Sequence, residues 1–294
     1  LLQFLGEDIW LQVQSWQKKS EILASQTSYS AVNSILIELY EEISKLSMEE
    51  CATIAKLLPQ LHSGMGQGQY LRALAFIDID SKFLESHMFI IEKLLNVLHA
   101  NFSIENGLYD WLECKQNPKN WLTIFPLDPK CQSRSAGLAI LQLPAAELME
   151  YSLPAENILV VENMQSGLGL PPMENTIAVI GCGRNIAWLH ADWLKSKKVM
   201  YWGDIDTWGL TILSEARELC TNIQAIMMDG ETINAHLHLL TIEPTSNRNL
   251  PASLTDAEQS LFKQLNQMCD QPNRLEQERS PQAYVLKNLL SYCS

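Results

Sequence analysis

The stretch "VMYWGDIDTWGLTIL", residues 199–213, decides how the C-terminal half of this sequence folds. It joins an apolar run to two aspartates, Asp204 and Asp206, and then to a segment with helical spacing. Alternate residues of an extended chain point to the same side, so the two carboxylates are predicted to face one point. Gly203 allows the backbone to turn tightly before them. The stretch therefore predicts a buried β-strand whose carboxyl end carries two converging acids.

Four short apolar runs alternate with helix-like segments in the C-terminal half. The runs are "NILVV" (157–161), "TIAVIG" (176–181), "KVMYW" (198–202) and "IQAIMM" (223–228). Strands that are apolar along their whole length are typical of a parallel sheet covered by helices on both faces. The predicted fold class is therefore α/β, or mixed α+β overall, with an open Rossmann-like parallel sheet in the C-terminal half.

The N-terminal part is predicted to be mainly helical. Residues 30–46 carry apolar side chains at helical spacing, and residues 47–61 begin with a capping-box pattern. The glycine-rich segment 63–69 is predicted to be a linker or hinge. Residues 70–100 are predicted to be mostly helical, whereas residues 101–150 have a mixed pattern that favours no single element.

Composition and charge exclude several classes of protein. With 294 residues, 47% of them hydrophobic, the chain is long enough for two domains and too apolar to be disordered. Its apolar runs are shorter than the ~20 residues of a membrane span, and no secretory signal is visible. Seven scattered cysteines without a CxxC pair favour reduced thiols in the cytoplasm. The formal net charge of −13 argues against a protein that coats nucleic acid over a broad surface.

Acidic side chains follow two of the four predicted strands. Glu162 comes directly after the first strand, and Asp204 and Asp206 follow the third. In an open α/β sheet, ligands gather at the carboxyl ends of the strands. If these two strands are neighbours, three carboxylates meet, and a divalent cation such as Mg²⁺ or Mn²⁺ removes their repulsion. The residues suggest a metal site for phosphodiester chemistry, against the plainer alternative of a surface turn and a helix cap.

The segment "RLEQER" (274–279) holds a second group of charged residues. One interpretation is a solvated helix with surface ion pairs. The other is that Glu276 or Glu278 completes the metal shell, while Arg274 or Arg279 binds a phosphate of DNA.

A glycine-rich turn offers a rival function. "AVIGCGRNIAWL" (178–189) resembles the strand–turn–helix start of a dinucleotide site, with Asp204 at the next strand end where a ribose-binding acid would sit. Ile186 occupies the third glycine position, so that fingerprint is incomplete. Arg184 follows the turn at a predicted helix N-terminus and suits a phosphate contact under either interpretation. A second aspartate pair, in "FIDIDSKF" (76–83), has no matching glutamate strand and is predicted to be structural.

The order of these motifs resembles one family. "VVENMQSGLGLPP", "IAVIGCGRNIAWL", "YWGDIDTWGLTILSEAR", "IMMD" followed by "ETINAH", and "RLEQER" are similar in sequence and order to the Wadjet nuclease subunit JetD and its relative MksG. "YLRALAFIDIDSKFLESH" resembles the segment with which that family enters its DNA-binding region. The resemblance covers roughly residues 70–294, and the helical first 65 residues match only loosely.

This resemblance implies a domain organisation. Residues 153–294 would form a Toprim domain, similar to that of the topoisomerase VI A-subunit. Residues 66–152 would form a winged-helix, CAP-like DNA-binding domain. Residues 1–65 would be part of a helical N-terminal arm, in keeping with a chain that begins with leucine and lacks some of that arm.

The same resemblance implies site residues and partners. The family's Toprim glutamate corresponds to Glu162, and its aspartate pair to Asp204 and Asp206. The family works as a homodimer beside an SMC-type ATPase, a kleisin and a small winged-helix accessory subunit, and together they cut circular plasmid DNA. Met164 and Cys182 depart from the residues expected in relatives. These departures affect the expected contacts with DNA more than the expected metal-binding acids.

The sequence therefore predicts a metal-dependent DNA endonuclease that works in the cytoplasm and away from membranes. Glu162, Asp204 and Asp206 are its predicted ligands for Mg²⁺ or Mn²⁺, and Arg184 is its predicted catalytic cation. Double-stranded circular DNA and an SMC complex are the predicted partners. A different class stays open, namely a non-catalytic scaffold that binds DNA or an SMC protein on the same sheet.

Overall fold

The computed structural model describes residues 6–25, 29–99, 101–268 and 271–293. The chain divides into two compact units, residues 1–117 and 118–294, and each unit has its own hydrophobic core. In the part of the chain that the structure describes, no helix is both long enough and apolar enough to cross a bilayer.

The first unit is built from helices. They are α1 (Glu7–Ala24), α2 (Tyr29–Glu38), α3 (Tyr40–Lys45), α4 (Met48–Leu57), α5 (Ser81–Ser86), α6 (Met88–Leu98) and α7 (Gly107–Trp111). The predicted capping box begins α4, because the Ser47 side chain accepts a 3.0 Å hydrogen bond from Glu50 N while Ser47 N donates to Glu50 Oε2 at 2.7 Å. The helical character predicted for this part of the chain is confirmed.

The glycine-rich segment 63–69 is not a free linker. Its Gly66 N–H donates a 2.8 Å hydrogen bond to the carbonyl of Leu112. A methyl group on Gly66 would lie 2.3 Å from Cys114 Sγ, so the backbones approach more closely than any other residue allows. The glycines here serve packing inside the first unit, and the linker prediction is wrong.

Residues 74–80 depart from the predicted helix. Phe76 and Ile79 form an antiparallel bridge, and Asp78 between them has a φ of 56°, outside the helical region. The Asp80 side chain accepts a 2.8 Å hydrogen bond from Lys82 N and caps α5. Aspartate side chains that bond to nearby backbone compete with helix formation, which explains the break. Asp80 has the structural role that the sequence predicted.

The second unit surrounds a six-stranded sheet. Its strands are β1 (Trp121–Pro126), β2 (Leu141–Pro144), β3 (Asn157–Val161), β4 (Thr176–Ile180), β5 (Lys198–Trp202) and β6 (Ile223–Ala225). Its helices are α8 (Pro129–Arg134), α9 (Ala145–Glu150), α10 (Met164–Leu168), α11 (Thr207–Leu219), α12 (Gly230–Ala235), α13 (Asp256–Gln267) and α14 (Gln282–Cys293). The strand order is β2-β1-β4-β3-β5-β6, and the α/β fold class is confirmed.

The parallel strands are the ones that the apolar runs predicted. β3 pairs in parallel with β4 and with β5, and β5 pairs in parallel with β6. Every residue of β4 is buried, and in β3 and β5 only the first residue is not fully buried. Burial on both faces requires apolar side chains on both faces, which is why these strands are continuous apolar runs in the sequence.

Two antiparallel strands extend the sheet beyond the predicted four. β1 pairs antiparallel with β4, and β2 pairs antiparallel with β1 at the edge. Both strands lie upstream of the domain boundary predicted after residue 152, whereas the two compact units divide between residues 117 and 118. β2 has four residues and a mixed burial pattern, so its sequence alone carries little strand signal.

The connection from β4 to β5 is not the predicted α-helix. It consists of two 3₁₀-helices, Ala187–His190 and Asp192–Ser196. Trp188, Ala191 and Leu194 are buried and recur every third residue. A spacing of three matches the three residues per turn of a 3₁₀-helix, so packing onto the core selects the tighter coil.

The order of the parallel strands places a crevice between β3 and β5. The chain leaves β3 toward β4 on one side, and it leaves β5 toward β6 on the other. Connections that diverge in this way open a crevice beyond the carboxyl ends of the two strands, where ligands bind in α/β sheets.

Gly167 lies where α10 packs closely on the sheet. A methyl group there would lie 2.5 Å from both Cβ and Cγ2 of the buried Ile180. We expect Gly167→Ala to lower the free energy of unfolding of the second unit by roughly 1–3 kcal/mol in urea denaturation. Gly169→Ala is the matched control, since its nearest neighbour would be 3.5 Å away. Equal stability of the two variants would contradict this packing.

Candidate active site

The candidate site lies where β3 and β5 end side by side. Glu162 follows β3, and its N–H donates a 3.1 Å hydrogen bond to the carbonyl of Trp202, the last residue of β5. Its side chain reaches the same loop, where Oε2 accepts a 3.2 Å hydrogen bond from Asp204 N. A methyl group on Gly203 would lie 2.7 Å from Glu162 Oε2. Gly203 therefore gives the glutamate room to reach the aspartate loop.

Asp204 and Asp206 point to one common place. Ile205 between them is buried and pairs with Leu275 through two backbone hydrogen bonds of 2.9 and 3.0 Å. The side chain of Arg274 contacts both carboxylates. Its Nη2 lies 2.7 Å from Asp204 Oδ2, and its Nε lies 2.9 Å from Asp206 Oδ2. The structure thus brings the predicted acids together and adds a cation between them.

Arg274 is the central positive charge of the site. Besides the two aspartates, its Nη1 lies 3.3 Å from Glu276 Oε1. Its side chain is 27% exposed. The contact with DNA suggested for Arg274 from the sequence stays a prediction, because in this structure its guanidinium is engaged by carboxylates.

Asp206 also begins the helix that follows. Its Oδ1 accepts a 2.6 Å hydrogen bond from Gly209 N at the start of α11. A methyl group on Gly209 would lie 2.1 Å from the carbonyl oxygen of Asp204, so this turn requires glycine. Burial raises the pKa of Asp206 to about 6 despite that hydrogen bond, and the nearby Glu243 and Asp204 add to the effect.

The pKa of Glu162 is also raised, to a higher value than that of Asp206. Burial, and then the negative charge of Asp204, raises its pKa to about 7. The hydrogen bond from Asp204 N and the positive charge of Arg274 act in the other direction without cancelling the effect. Burial is the main cause of both raised pKa values, and the neighbouring carboxylates add to it more than Arg274 offsets.

Gln277 is a site residue that the sequence did not reveal. It is buried, its Nε2 donates to the carbonyl of Trp202 at 2.9 Å, and its Oε1 accepts from Asn163 N at 2.8 Å. Its own N–H donates to Asp204 Oδ1 at 2.8 Å. One neutral side chain therefore fastens the ends of β3 and β5 together. The "RLEQER" motif marked this region, but only its charged members were singled out.

Glu243 is a second residue without a sequence signal. It is buried, and its Oε1 accepts hydrogen bonds from Thr207 Oγ1 at 2.7 Å and Thr207 N at 3.1 Å. Its Oε2 accepts from Ser246 Oγ at 2.8 Å. These bonds hold the Glu243 side chain close to Asp206, whose pKa it helps to raise.

The remaining charged residues of "RLEQER" surround the acid pair. Glu276 bridges two cations, with Oε2 lying 2.7 Å from Arg279 Nε and Oε1 facing Arg274. Glu278 Oε1 accepts a 2.6 Å hydrogen bond from Asn163 Nδ2, next to Glu162. The predicted roles of Glu276 and Glu278 as metal ligands, and of Arg279 as a phosphate contact, stay predictions.

Arg184 lies in the neighbouring loop rather than among the acids. Its guanidinium carbon is 5.0 Å from the centre of the Trp208 ring, and its Nη2 lies 3.6 Å from Glu215 Oε1. Its side chain is 60% exposed. Gly183 N donates a 3.1 Å hydrogen bond to the carbonyl of Glu162, which ties this loop to the site. Arg184 is therefore an exposed cation beside the site, stacked on Trp208 and facing Glu215.

The donor set of the site suits a hard divalent cation, because every candidate ligand atom is a carboxylate oxygen. Within the described ranges, however, no group of three or more His, Cys, Asp or Glu side chains is arranged to hold a metal ion. Arg274 lies against one oxygen of each aspartate. The raised pKa values of Glu162 and Asp206 are the condition that a bound cation relieves.

Two family models match the chain. One, described as the C-terminal part of the Wadjet protein JetD, matches residues 107–289, more than half of the chain. The other, described as the N-terminal part of an uncharacterised protein conserved in bacteria, matches residues 1–96. A comparison with curated proteins gave no match. The first match includes Glu162, Asp204 and Asp206.

Gln277→Ala should destabilise the second unit strongly. The change removes both side-chain hydrogen bonds, so that Asn163 N loses its acceptor and the Trp202 carbonyl keeps only the bond from Glu162 N, which costs roughly 2–4 kcal/mol. Gln282→Ala is the matched control, because Gln282 makes one exposed hydrogen bond to the Gly169 carbonyl. Urea denaturation of both variants measures the difference. A loss no larger for Gln277 than for Gln282 would contradict its role.

Glu162→Gln should change how stability depends on pH in metal-free buffer. The pKa of Glu162 is about 7 in the folded state against 4.5 for the free side chain, so the folded state keeps a proton that the unfolded state has released. Stability therefore falls as pH rises from about 4.5 to 7, and the glutamine variant lacks that loss. Above pH 7 it should be more stable than the parent by roughly 1–3 kcal/mol.

Thermal or urea denaturation between pH 4.5 and 8 provides the measurement for this prediction. Glu218→Gln is the control, because Glu218 is exposed on α11 and its loss should leave the pH profile unchanged. Parallel profiles for Glu162→Gln and the parent would show that the charge of Glu162 is not destabilising.

Proposed function

The chain belongs to the Wadjet JetD family, and from this premise we propose that it is a metal-dependent DNA endonuclease. The observation that carries the proposal is the meeting of Glu162, Asp204 and Asp206 at the carboxyl ends of β3 and β5. Buried carboxylates that gather in the crevice of an α/β sheet, with raised pKa values, are typical of a catalytic site. The proposed reaction is hydrolysis of phosphodiester bonds in circular plasmid DNA.

The three acids would hold Mg²⁺ or Mn²⁺. When bound, such an ion polarises the scissile phosphate and lowers the pKa of a coordinated water. The protein's part is to fix the oxygens: Gln277 N holds Asp204, Gly209 N holds Asp206, and Asp204 N holds Glu162. Rigidly placed ligands cost no reorganisation during the reaction.

Two exposed arginines would bind the DNA backbone. Arg184 extends from the loop after β4 over Trp208, and Arg279 lies beside Glu276 at the edge of the acid cluster. A guanidinium binds a phosphate through paired hydrogen bonds. With a net charge of −13, the protein repels DNA elsewhere on its surface, so we expect weak binding in isolation that falls steeply with salt.

The family membership supports further proposals about architecture and partners. Residues 153–294 would form a Toprim domain, in which Glu162 follows β3 and the two aspartates follow β5. A winged-helix domain and a helical N-terminal segment would precede it. The protein would act in the cytoplasm as a homodimer, together with an SMC-type ATPase, a kleisin and an accessory subunit.

A non-catalytic scaffold is the second candidate. One observation favours it: Arg274 pairs with both aspartates, and no metal-binding group is formed among the described residues. A scaffold without a metal site gains no thermal stability from Mn²⁺, whereas a site that binds metal only in the folded state must be stabilised by it. Melting curves with and without Mn²⁺ therefore separate the two candidates.

Asp204→Asn should abolish metal-dependent cleavage while leaving the fold intact. Asparagine keeps the size of the side chain and an oxygen for Gln277 N, but removes the negative charge that would hold the metal. We expect cleavage of supercoiled plasmid with Mn²⁺ or Mg²⁺ to fall at least about a hundredfold. Asp192→Asn is the control, because Asp192 is an exposed residue paired with Lys195.

The plasmid assay includes a chelator and is repeated with SMC partners and ATP. Cleavage by the parent and by Asp192→Asn, lost with chelator and in Asp204→Asn, supports the nuclease. Undiminished cleavage by Asp204→Asn would refute the assigned site. Absence of cleavage even with the partners and ATP would favour the scaffold.

A further inference from the structure

The guanidinium of Arg274 fills the space that the two aspartates enclose. We propose that Arg274 occupies the place of the divalent cation in the metal-free protein, so that metal and arginine compete for the same carboxylate oxygens. This inference rests on the proposed metal site. It goes beyond that site by assigning Arg274 the control of metal affinity.

Each aspartate divides its two oxygens between the backbone and Arg274. Asp204 Oδ1 accepts from Gln277 N at 2.8 Å, and Asp206 Oδ1 accepts from Gly209 N at 2.6 Å. The two Oδ2 atoms are the ones that lie 2.7 and 2.9 Å from Arg274. The backbone bonds hold the turn in shape, so the Oδ2 atoms are the ones that can change partner. A cation that binds both aspartates at these oxygens must displace the guanidinium.

The backbone of Arg274 is fixed by hydrogen bonds, whereas its side chain is held by ion pairs, which a competing cation can replace. Its N–H and carbonyl both bond to Thr241 at 2.9 Å, and the next residue, Leu275, pairs with Ile205. The side chain itself is partly exposed. Arg274 can therefore leave the aspartates by rotating its side chain, without unfolding the segment that carries it.

Glu276 gives the displaced guanidinium a position at the edge of the site. It already lies 3.3 Å from Arg274 Nη1, and its carboxylate is 30% exposed. Arg274 would stay tethered beside the acids after metal has entered, with its free N–H groups directed to solvent or to a bound phosphate. The same residue then protects the empty site from charge repulsion and adds a cation to the loaded one.

Direct measurement of Mn²⁺ binding tests the competition. The free aqua ion is counted by its electron paramagnetic resonance signal, for the parent and for Arg274→Gln and Arg274→Lys. Loss of the competing hydrogen bond to Asp204 and of the ion pair with Asp206 should lower the Mn²⁺ Kd of Arg274→Gln by about tenfold. Lysine keeps the charge but not the fork that spans both aspartates, so its Kd should fall by less.

Arg279→Gln is the matched control. It removes an arginine that pairs with Glu276 at 2.7 Å but does not contact the aspartates, so its Kd should stay within about threefold of the parent. An unchanged or higher Kd for Arg274→Gln would overturn the proposal, because Arg274 would then orient the acids for the metal. Circular dichroism checks folding, and Arg274→Lys decides the question if the glutamine variant does not fold.

The plasmid assay separates this inference from the proposed function. Metal-dependent cleavage by the parent, together with an unchanged Kd in the Arg274 variants, overturns only the competition. Absence of Mn²⁺ binding in the parent and in every variant overturns both the competition and the metal site. Tighter binding in Arg274→Gln, with binding lost in Asp204→Asn, supports both.

Discussion

The ion pairs between Arg274 and the two aspartates join parts of the chain that are 70 and 68 residues apart in sequence. They draw the segment around Leu275 onto the loop after β5, where Ile205 pairs with it. Without a cation there, Asp204 and Asp206 would repel each other in a cleft with little water. These ion pairs therefore link the loop after β5 to the segment that carries Gln277, whose N–H donates to Asp204.

Hydrogen bonds hold the acidic side chains of the site in place, but the burial of their charges lowers the stability of the folded protein. Glu162 and Asp206 have pKa values raised to about 7 and 6, which means that their charged forms are less stable in the folded protein than in water. The fully buried strands β3 and β4 supply the surrounding stability. Proteins keep such unfavourable charges where function needs them, because surrounding packing holds the groups in place. The destabilised acids are therefore a reason to expect a ligand at this place.

The strand order determines where Glu162, Asp204 and Asp206 lie in the fold. β3 lies between β4 and β5, so the residues that follow β3 and β5 meet at the edge where the connections diverge. The exposed Arg184 follows β4 at that edge, and its stacking on Trp208 connects it with α11. Membership of the Wadjet JetD family fits this arrangement, and the resemblance read from the sequence motifs is confirmed by the family match.

The sequence by itself determined the parallel strands, the α/β class and the acids at the ends of β3 and β5. Each of these depends on local pattern: continuous apolar runs, glycine at a tight turn, and acids spaced two apart. It did not determine β2, the 3₁₀ connection after β4, or the roles of Gln277 and Glu243. Only the tertiary structure decided that Arg274 lies between the aspartates. Contacts between distant segments are set by packing and by the balance of buried charge, and neither leaves a periodic trace along the chain.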